Sequence, residues 1–302
     1  MTDPTPNPTP STPTGPAVAP IPAPSAPAAP TNRGLRPRRI VAAALPLVAV
    51  ALAVVVARLS HSFPSEPTRR AREELFTHFR PVTLKNCTFE RLGHPGDGGY
   101  LFCANLLDGA AAAYSYGIEG RDDWGCEVSK RRGITVHEYD CFDPRRPACA
   151  GGKLEFHDEC IAGTTFAEGN RVFDTLANQI AANGDAGKRL LMKMDVEGAE
   201  WSSFLETPDE VLDRIDQLAV EFHDFDSPKA AEAMDKLQKH FFLVHLHFNN
   251  NACSWLTGPW AATAWETLLV NRRLAEVDPS IPEPKRPHPL DAKNIPMLPD
   301  CQ

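Results

Sequence analysis

Seven apolar runs of strand length constrain this chain more than any other feature. They are AAAYSYGI (111–118), GITVHEYD (133–140), KLEFHDECI (153–161), RLLMKMDV (189–196), DQLAVEFH (216–223), FFLVHLHF (241–248) and TAWETLLVNR (263–272). Segments with helical patterns lie between them, over Trp124–Arg132, Val172–Asn183, Ala199–Leu205 and Pro228–His240. Strands that alternate with helices predict an α/β domain with a mainly parallel sheet and helices on both of its faces. No internal repeat and no second core is visible, so one folded domain is expected over residues 82–302. Its proline-rich close, 279–302, reads as an extended tail wrapped on the domain, and the polar stretch 58–81 reads as a stem.

The amino-terminal part is different in kind. Eleven of the first 30 residues are proline, and nothing there repeats with the period of a helix or strand, so residues 1–39 read as a disordered tail. Arg33, Arg36, Arg38 and Arg39 then precede an uncharged apolar run, Ile40–Ala57, which Arg58 closes. Eighteen residues at helical rise reach roughly 27 Å, against a bilayer core of about 30 Å. The run is therefore expected to be a single transmembrane signal anchor. A cleavable signal peptide or an organellar transit sequence competes with this, but signal peptides have shorter apolar regions and less chain before them. Four arginines before the span and one after it place the tail in the cytoplasm and the domain in a lumen or outside the cell. Beyond residue 60 the chain carries 26 basic against 38 acidic residues, a balance that argues against nucleic acid as a partner.

All eight cysteines (Cys87, Cys103, Cys126, Cys141, Cys149, Cys160, Cys253 and Cys301) follow the apolar run. In an oxidising compartment an even number predicts disulfides, and at least two are expected; reduced, buried thiols are the alternative. Zinc on cysteine is disfavoured because no CxxC pair is present.

Three constellations carry the chemistry. In YSYGIEGRDDW (114–124) an apolar strand runs into a loop with Gly117, Glu119 and Gly120 and then into a helix, a place where a cofactor can approach the backbone. An ordinary strand-to-helix turn would look similar. The next strand ends in Asp140, about 20 residues on, where doubly wound sheets place an acid for ribose hydroxyls. A dinucleotide would call for the full GxGxxG fingerprint, whereas a nucleoside cofactor without pyrophosphate does not, which favours S-adenosylmethionine over NAD. In LLMKMDVEGAEW (190–201) a strand ends at Asp195 with Glu197 and Glu200 close behind, at the edge where such sheets bind ligands. The plainer reading of Glu197 and Glu200 is that they favour a helix N-terminus. In LAVEFHDF (218–225), Glu221 and His223 share one side of a strand beside Asp195. Asp195, Glu221 and His223 could supply a general base or hold a divalent metal; a buried, hydrogen-bonded pair is the alternative. His245 and His247 repeat the spacing and read as buried residues or pocket lining.

KMDVEGAEW resembles the KxDVEGxE segment of FkbM-type S-adenosylmethionine-dependent methyltransferases. RLGHPGDGGYLFC (91–103), YSYGIEG, VHEYD, FDTLANQI, MDVEGAEW and LAVEFH also occur in the order seen in the methyltransferase-like protein 24 group, so that the likeness spans roughly 89–273. The chain departs from methyltransferases in general in its degenerate glycine loop. The resemblance implies a Rossmann-like class I methyltransferase fold with the cofactor held by Gly117, Glu119, Gly120 and Asp140. It also implies that Asp97, Gly98 and Gly99 close over the cofactor, although DGG is equally a tight-turn sequence.

The expected activity is methyl transfer to an oxygen of a glycan or small metabolite, with His223 or Asp195 as base. A luminal glycosyltransferase shares the tail, anchor and stem plan but needs a DxD metal motif that is not evident. A catalytically inactive binding module that keeps the fold is the third reading.

Overall fold

The computed structural model describes residues 64–253, 262–281 and 283–301. The expected tail 1–39 and transmembrane span 40–57 lie outside the described residues. Among the described residues no helix is long and apolar enough to cross a membrane.

In chain order the domain begins with α1 (Glu66–Phe76) and a hairpin of β1 (Phe89–Gly93) and β2 (Gly99–Cys103). β3 (Ala112–Tyr116), α2 (Asp123–Arg132), β4 (Thr135–Tyr139) and β5 (Lys153–His157) follow. Three short strands, β6 (Cys160–Ile161), β7 (Phe166–Glu168) and β8 (Arg171–Asp174), lead to α3 (Leu176–Ala182). The chain continues through β9 (Leu190–Asp195), α4 (Glu200–Glu206), α5 (Asp209–Leu212) and β10 (Ile215–Phe222). It closes with α6 (Ala230–His240), β11 (Phe241–Phe248) and β12 (Trp265–Asn271).

All seven apolar runs become strands of one sheet, in the order β5-β4-β3-β9-β10-β12-β11. β5, β4, β3, β9 and β10 are parallel neighbours; β12 runs antiparallel to both β10 and β11. The sheet is thus a mostly parallel, Rossmann-like arrangement with one reversed strand inserted near its end. Burial on both faces explains why β3, β9 and β10 read as continuous apolar runs. On one face Tyr114, Met192, Leu218 and Val220 pack with Leu176 and Ile180 of α3, Phe204 of α4 and Met234 of α6. On the other, Ala113, Leu191, Ala219 and Leu268 pack with Trp124 and Val128 of α2 and with Leu92 and Phe102 of the hairpin. Gln217 fastens that hairpin to the sheet, accepting from the Cys103 amide at 2.8 Å and donating to its carbonyl at 3.0 Å.

Two expectations are corrected. The stretch 58–81 is not a separate stem where it is described, because Leu75 and Phe79 are buried in the core and Arg72 pairs with Asp226 at 2.6 Å. Phe79 meets Phe222 and Trp265 edge to face, so the domain starts before residue 82. The helix expected over Val172–Asn183 begins only at Leu176, capped by Thr175. Phe173 and Val172 before it are strand residues, and Phe173 stacks on Phe166 of β7.

Four disulfides, Cys87–Cys103, Cys126–Cys149, Cys141–Cys160 and Cys253–Cys301, pair all eight cysteines. They satisfy the expectation of at least two. The tail does wrap on the domain: Asp291 meets His245, Asn294 meets Glu266, and Cys301 closes onto Cys253 beyond β11.

Candidate active site

From β3 the chain adds β4 and β5 on one side, then crosses back to place β9 and β10 on the other. The crevice outside the carboxyl ends of β3 and β9 is the topological switch point, where open α/β sheets bind ligands. A cleft of about 890 Å³ opens there.

Its β3–β4 half is built on a turn that only glycine can make. Gly117 has φ +68°, and a Cβ on it would stand 1.6 Å from the Asp195 carbonyl oxygen. From beneath, the buried ammonium of Lys193 on β9 donates to the Tyr116 and Gly117 carbonyls at 3.0 and 2.6 Å. Asp140 stands just past β4. One of its carboxylate oxygens accepts from the Ile118 and Glu119 amides at 3.1 and 2.8 Å, and the other from the Phe142 and Asp143 amides at 2.8 and 2.9 Å. A carboxylate offers about four lone-pair positions. Asp140 therefore spends its acceptor capacity fastening two loops together, and a ligand hydroxyl would have to share it. Tyr116, Tyr139, Phe142, Ile161 and Phe173 supply flat and apolar wall, and Cys141 and Cys160 of one disulfide stand in it.

The other half carries a row of polar residues across four strands. Register pairs Asp195 of β9 with Glu221 of β10, Glu221 with Glu266 of β12, and Glu266 with His247 of β11. Paired neighbours project from one face, so the four form a line. Tyr100 of the hairpin donates to Asp195 at 3.3 Å, and Asn249 donates to Glu221 at 2.6 Å. His247 bonds Glu266 at 3.0 Å, and Asn294 of the tail donates to both Glu266 and Asp97 at 2.6 and 3.0 Å. Burial pushes Asp195 above the ordinary carboxylate range, with Lys193 pulling the other way. Glu221 rises well above it, from burial and from the neighbouring Asp195 and Glu266 carboxylates.

His223 follows β10 and turns back toward the row. Its Nδ1 meets Glu200 at 3.2 Å, and its Nε2 lies 3.7 Å from Glu221 and 3.8 Å from Glu197. Burial alone would lower its pKa, but Glu200, Asp195 and Glu221 outweigh that and push it up to about 9. That favours the imidazolium at neutral pH, a form that must give up its proton before it can act as the base expected from the sequence. Glu200 is fully buried and accepts from the Val196 and Gly198 amides at 2.9 and 2.8 Å, so it closes the turn into α4 and orients His223 at once.

Of the residues expected at the site, Asp97, Gly117, Glu119, Asp140, Asp195, Glu221 and His223 line the cleft. Gly98, Gly99 and Gly120 do not. Gly98 (φ +80°) and Gly99 shape the hairpin turn, where a Cβ on Gly99 would meet the His94 carbonyl at 1.9 Å. Gly120 backs onto Arg145. In and beside the cleft two groups have the spacing to hold a cation, Asp195 with Glu197 and His223, and Asp97 with Glu221 and Glu266. The expected metal trio is thus split, because Glu221 sides with Asp97 and Glu266. Lys193, Glu266, Asn249 and Asn294 were not singled out from sequence. Lys193 and Glu266 did leave a signal, a charge inside an apolar strand run, whereas the two asparagines left none.

The charged groups that line the cleft are Asp97, Glu119, Asp140, Glu159, Asp195, Glu197, Glu221 and His223, with no lysine or arginine among the described lining residues. Comparison with protein-family models gives no matching family, and comparison with curated proteins gives no significant match.

Proposed function

We propose that the domain transfers a methyl group from S-adenosylmethionine to an oxygen of a glycan or small metabolite, held outside the cytosol by a membrane anchor at residues 40–57. The observation that carries this is the lining of the switch-point cleft, seven carboxylates without a lysine or arginine among the described residues. Such a surface favours cations and repels phosphates. A sulfonium and an ammonium fit it, whereas a bare pyrophosphate does not. The Gly117 turn supplies the close backbone approach, and Tyr116, Tyr139 and Phe142 supply wall for a flat base. Four disulfides fit a non-reducing compartment.

Bound S-adenosylmethionine would supply an already activated methyl group, leaving the chain to align the acceptor and take its proton. Asp195 is the base in this reading. It lines the cleft, and its raised pKa brings it closer to neutrality, where a general base works best. Tyr100 and Lys193 hold it in place. His223, oriented by Glu200, offsets part of the negative charge of Asp195 and Glu221. The two acid groups with cation spacing favour one second reading, a metal-dependent transfer from a nucleotide sugar.

Equilibrium binding of labelled S-adenosylmethionine and of a nucleotide sugar with Mn²⁺ to the purified full chain separates the two. Stoichiometric, metal-independent binding of the first is expected, and binding of the second alone would overturn the proposal. Protease protection in sealed microsomes tests the orientation, since digestion of the domain without detergent contradicts it.

A further inference from the structure

We propose that His137, Glu155 and His157 form a binding site for a divalent transition metal of the zinc type on the edge of the sheet, apart from the cleft. β5 is the edge strand, and its register sets Glu155 beside His137 of β4. His157 follows Glu155 by two residues, so all three side chains leave the same face.

The surroundings of His137 bear on which of its nitrogens can bind an ion. Its Nε2 lies 3.2 Å from Asp185, a carboxylate only 1% exposed that also accepts from the Tyr114 hydroxyl at 2.9 Å and pairs with Lys188. A proton on Nε2, facing this carboxylate, would leave the Nδ1 lone pair for an ion. That lone pair faces His157 Nε2 at 3.2 Å and Glu155 at 3.5 Å, and all three candidate ligand atoms lie within 4.8 Å of one another. Ligands at about 2.0–2.1 Å from a tetrahedral ion stand roughly 3.4 Å apart, close to both of these separations. A buried carboxylate behind a histidine is also the usual outer partner of a metal ligand, fixing its tautomer and ring orientation.

Two imidazoles and a carboxylate are a donor set that suits zinc, and three protein ligands leave one position open. Glu155, 60% exposed, sets that position toward water. His157 stacks on Tyr139 at 4.4 Å, and Tyr139 lines the cleft, so an ion here would brace both the sheet edge and one cleft wall. The same 3.2 Å contact could be a plain hydrogen bond between two rings.

Metal titration decides between them. The full chain, stripped with chelator, is titrated with Zn²⁺ by calorimetry and with Co²⁺ by visible absorption. One ion bound tighter than about 1 μM, with an intense tetrahedral Co²⁺ band, is expected. His157→Ala and Glu155→Ala alter residues at or near the surface, and with melting curves as the folding control each should weaken binding at least tenfold. Asp185→Asn should weaken it about 10- to 100-fold. Absence of binding overturns the proposal. So does binding that survives His157→Ala and is lost in Glu266→Gln, which would put the ion in the acid row of the cleft.

Discussion

The two halves of the cleft use the same kind of residue in opposite ways. On the β3–β4 side the central acid, Asp140, has four main-chain amides on its two oxygens, and its pocket is a fixed piece of backbone architecture. On the β9–β11 side the acids have side-chain partners, crowd one another and are displaced in pKa. A carboxylate saturated by amides can position a ligand but has little left to react with. One held by a phenol, as Asp195 is, or by an asparagine, as Glu221 is, beside a neighbouring acid keeps a proton site in play. In the proposed reading the first half would bind the cofactor and the second would carry the chemistry.

The sharpest way to break that assignment is Asp195→Asn. It should lower turnover about 10²- to 10⁴-fold while S-adenosylmethionine affinity, measured by calorimetry, stays within severalfold. Equal losses in both would merge the two halves. Gly117→Ala should do the reverse. The left-handed φ and the clash with the Asp195 carbonyl should cost about 3 kcal/mol of stability and cofactor affinity together, seen in melting curves and binding isotherms. Asp140→Asn leaves main-chain amides facing an NH₂ group, and denaturant unfolding should register about 2 kcal/mol. A loss of affinity without loss of stability would show instead that Asp140 grips the ligand, as its position after β4 suggested.

The smallest effect is a pH dependence. The folded pKa of His223 is raised to about 9 from an ordinary 6.5. Its contribution is fully present below the unfolded value and is lost as pH rises through the folded one. Between pH 6.5 and 9 the stability of the protein should fall by about 2 kcal/mol more than that of His223→Gln. Parallel curves would mean that His223 is neutral in the fold and free to be the base after all.

The strands were legible because each is a short run between turn signals, and β3, β9, β10 and β12 are apolar runs buried on both faces. The β1–β2 hairpin was seen as a motif but not as strands, since β1 is half-exposed and FERLG does not alternate cleanly. Leu75 and Phe79 were hidden in a polar stretch whose partners are about 120 to 190 residues away in sequence. At the site, the convergence of Asp195, Glu221 and His223 followed from strand ends alone. The place of Glu266 did not, because it depends on the register of an antiparallel strand inserted out of order. The saturation of Asp140 was equally hidden, since it is made by amides of two loops whose conformation no side-chain pattern announces.

The tail that covers the acid row has a kinetic consequence. Asn294 joins Asp97 across 197 residues, whereas the hydrogen bond from the Thr88 amide to Asn105 beside the hairpin spans 17. Closing the longer loop costs about 2 kcal/mol more in chain entropy, and its reward exists only once β10 and β12 are already paired. The fold can thus be nearly complete while Glu266 still faces water. The acid row should therefore be completed late in folding, and refolding followed by the proposed activity should lag behind refolding followed by the fluorescence of buried tryptophans such as Trp124 and Trp201.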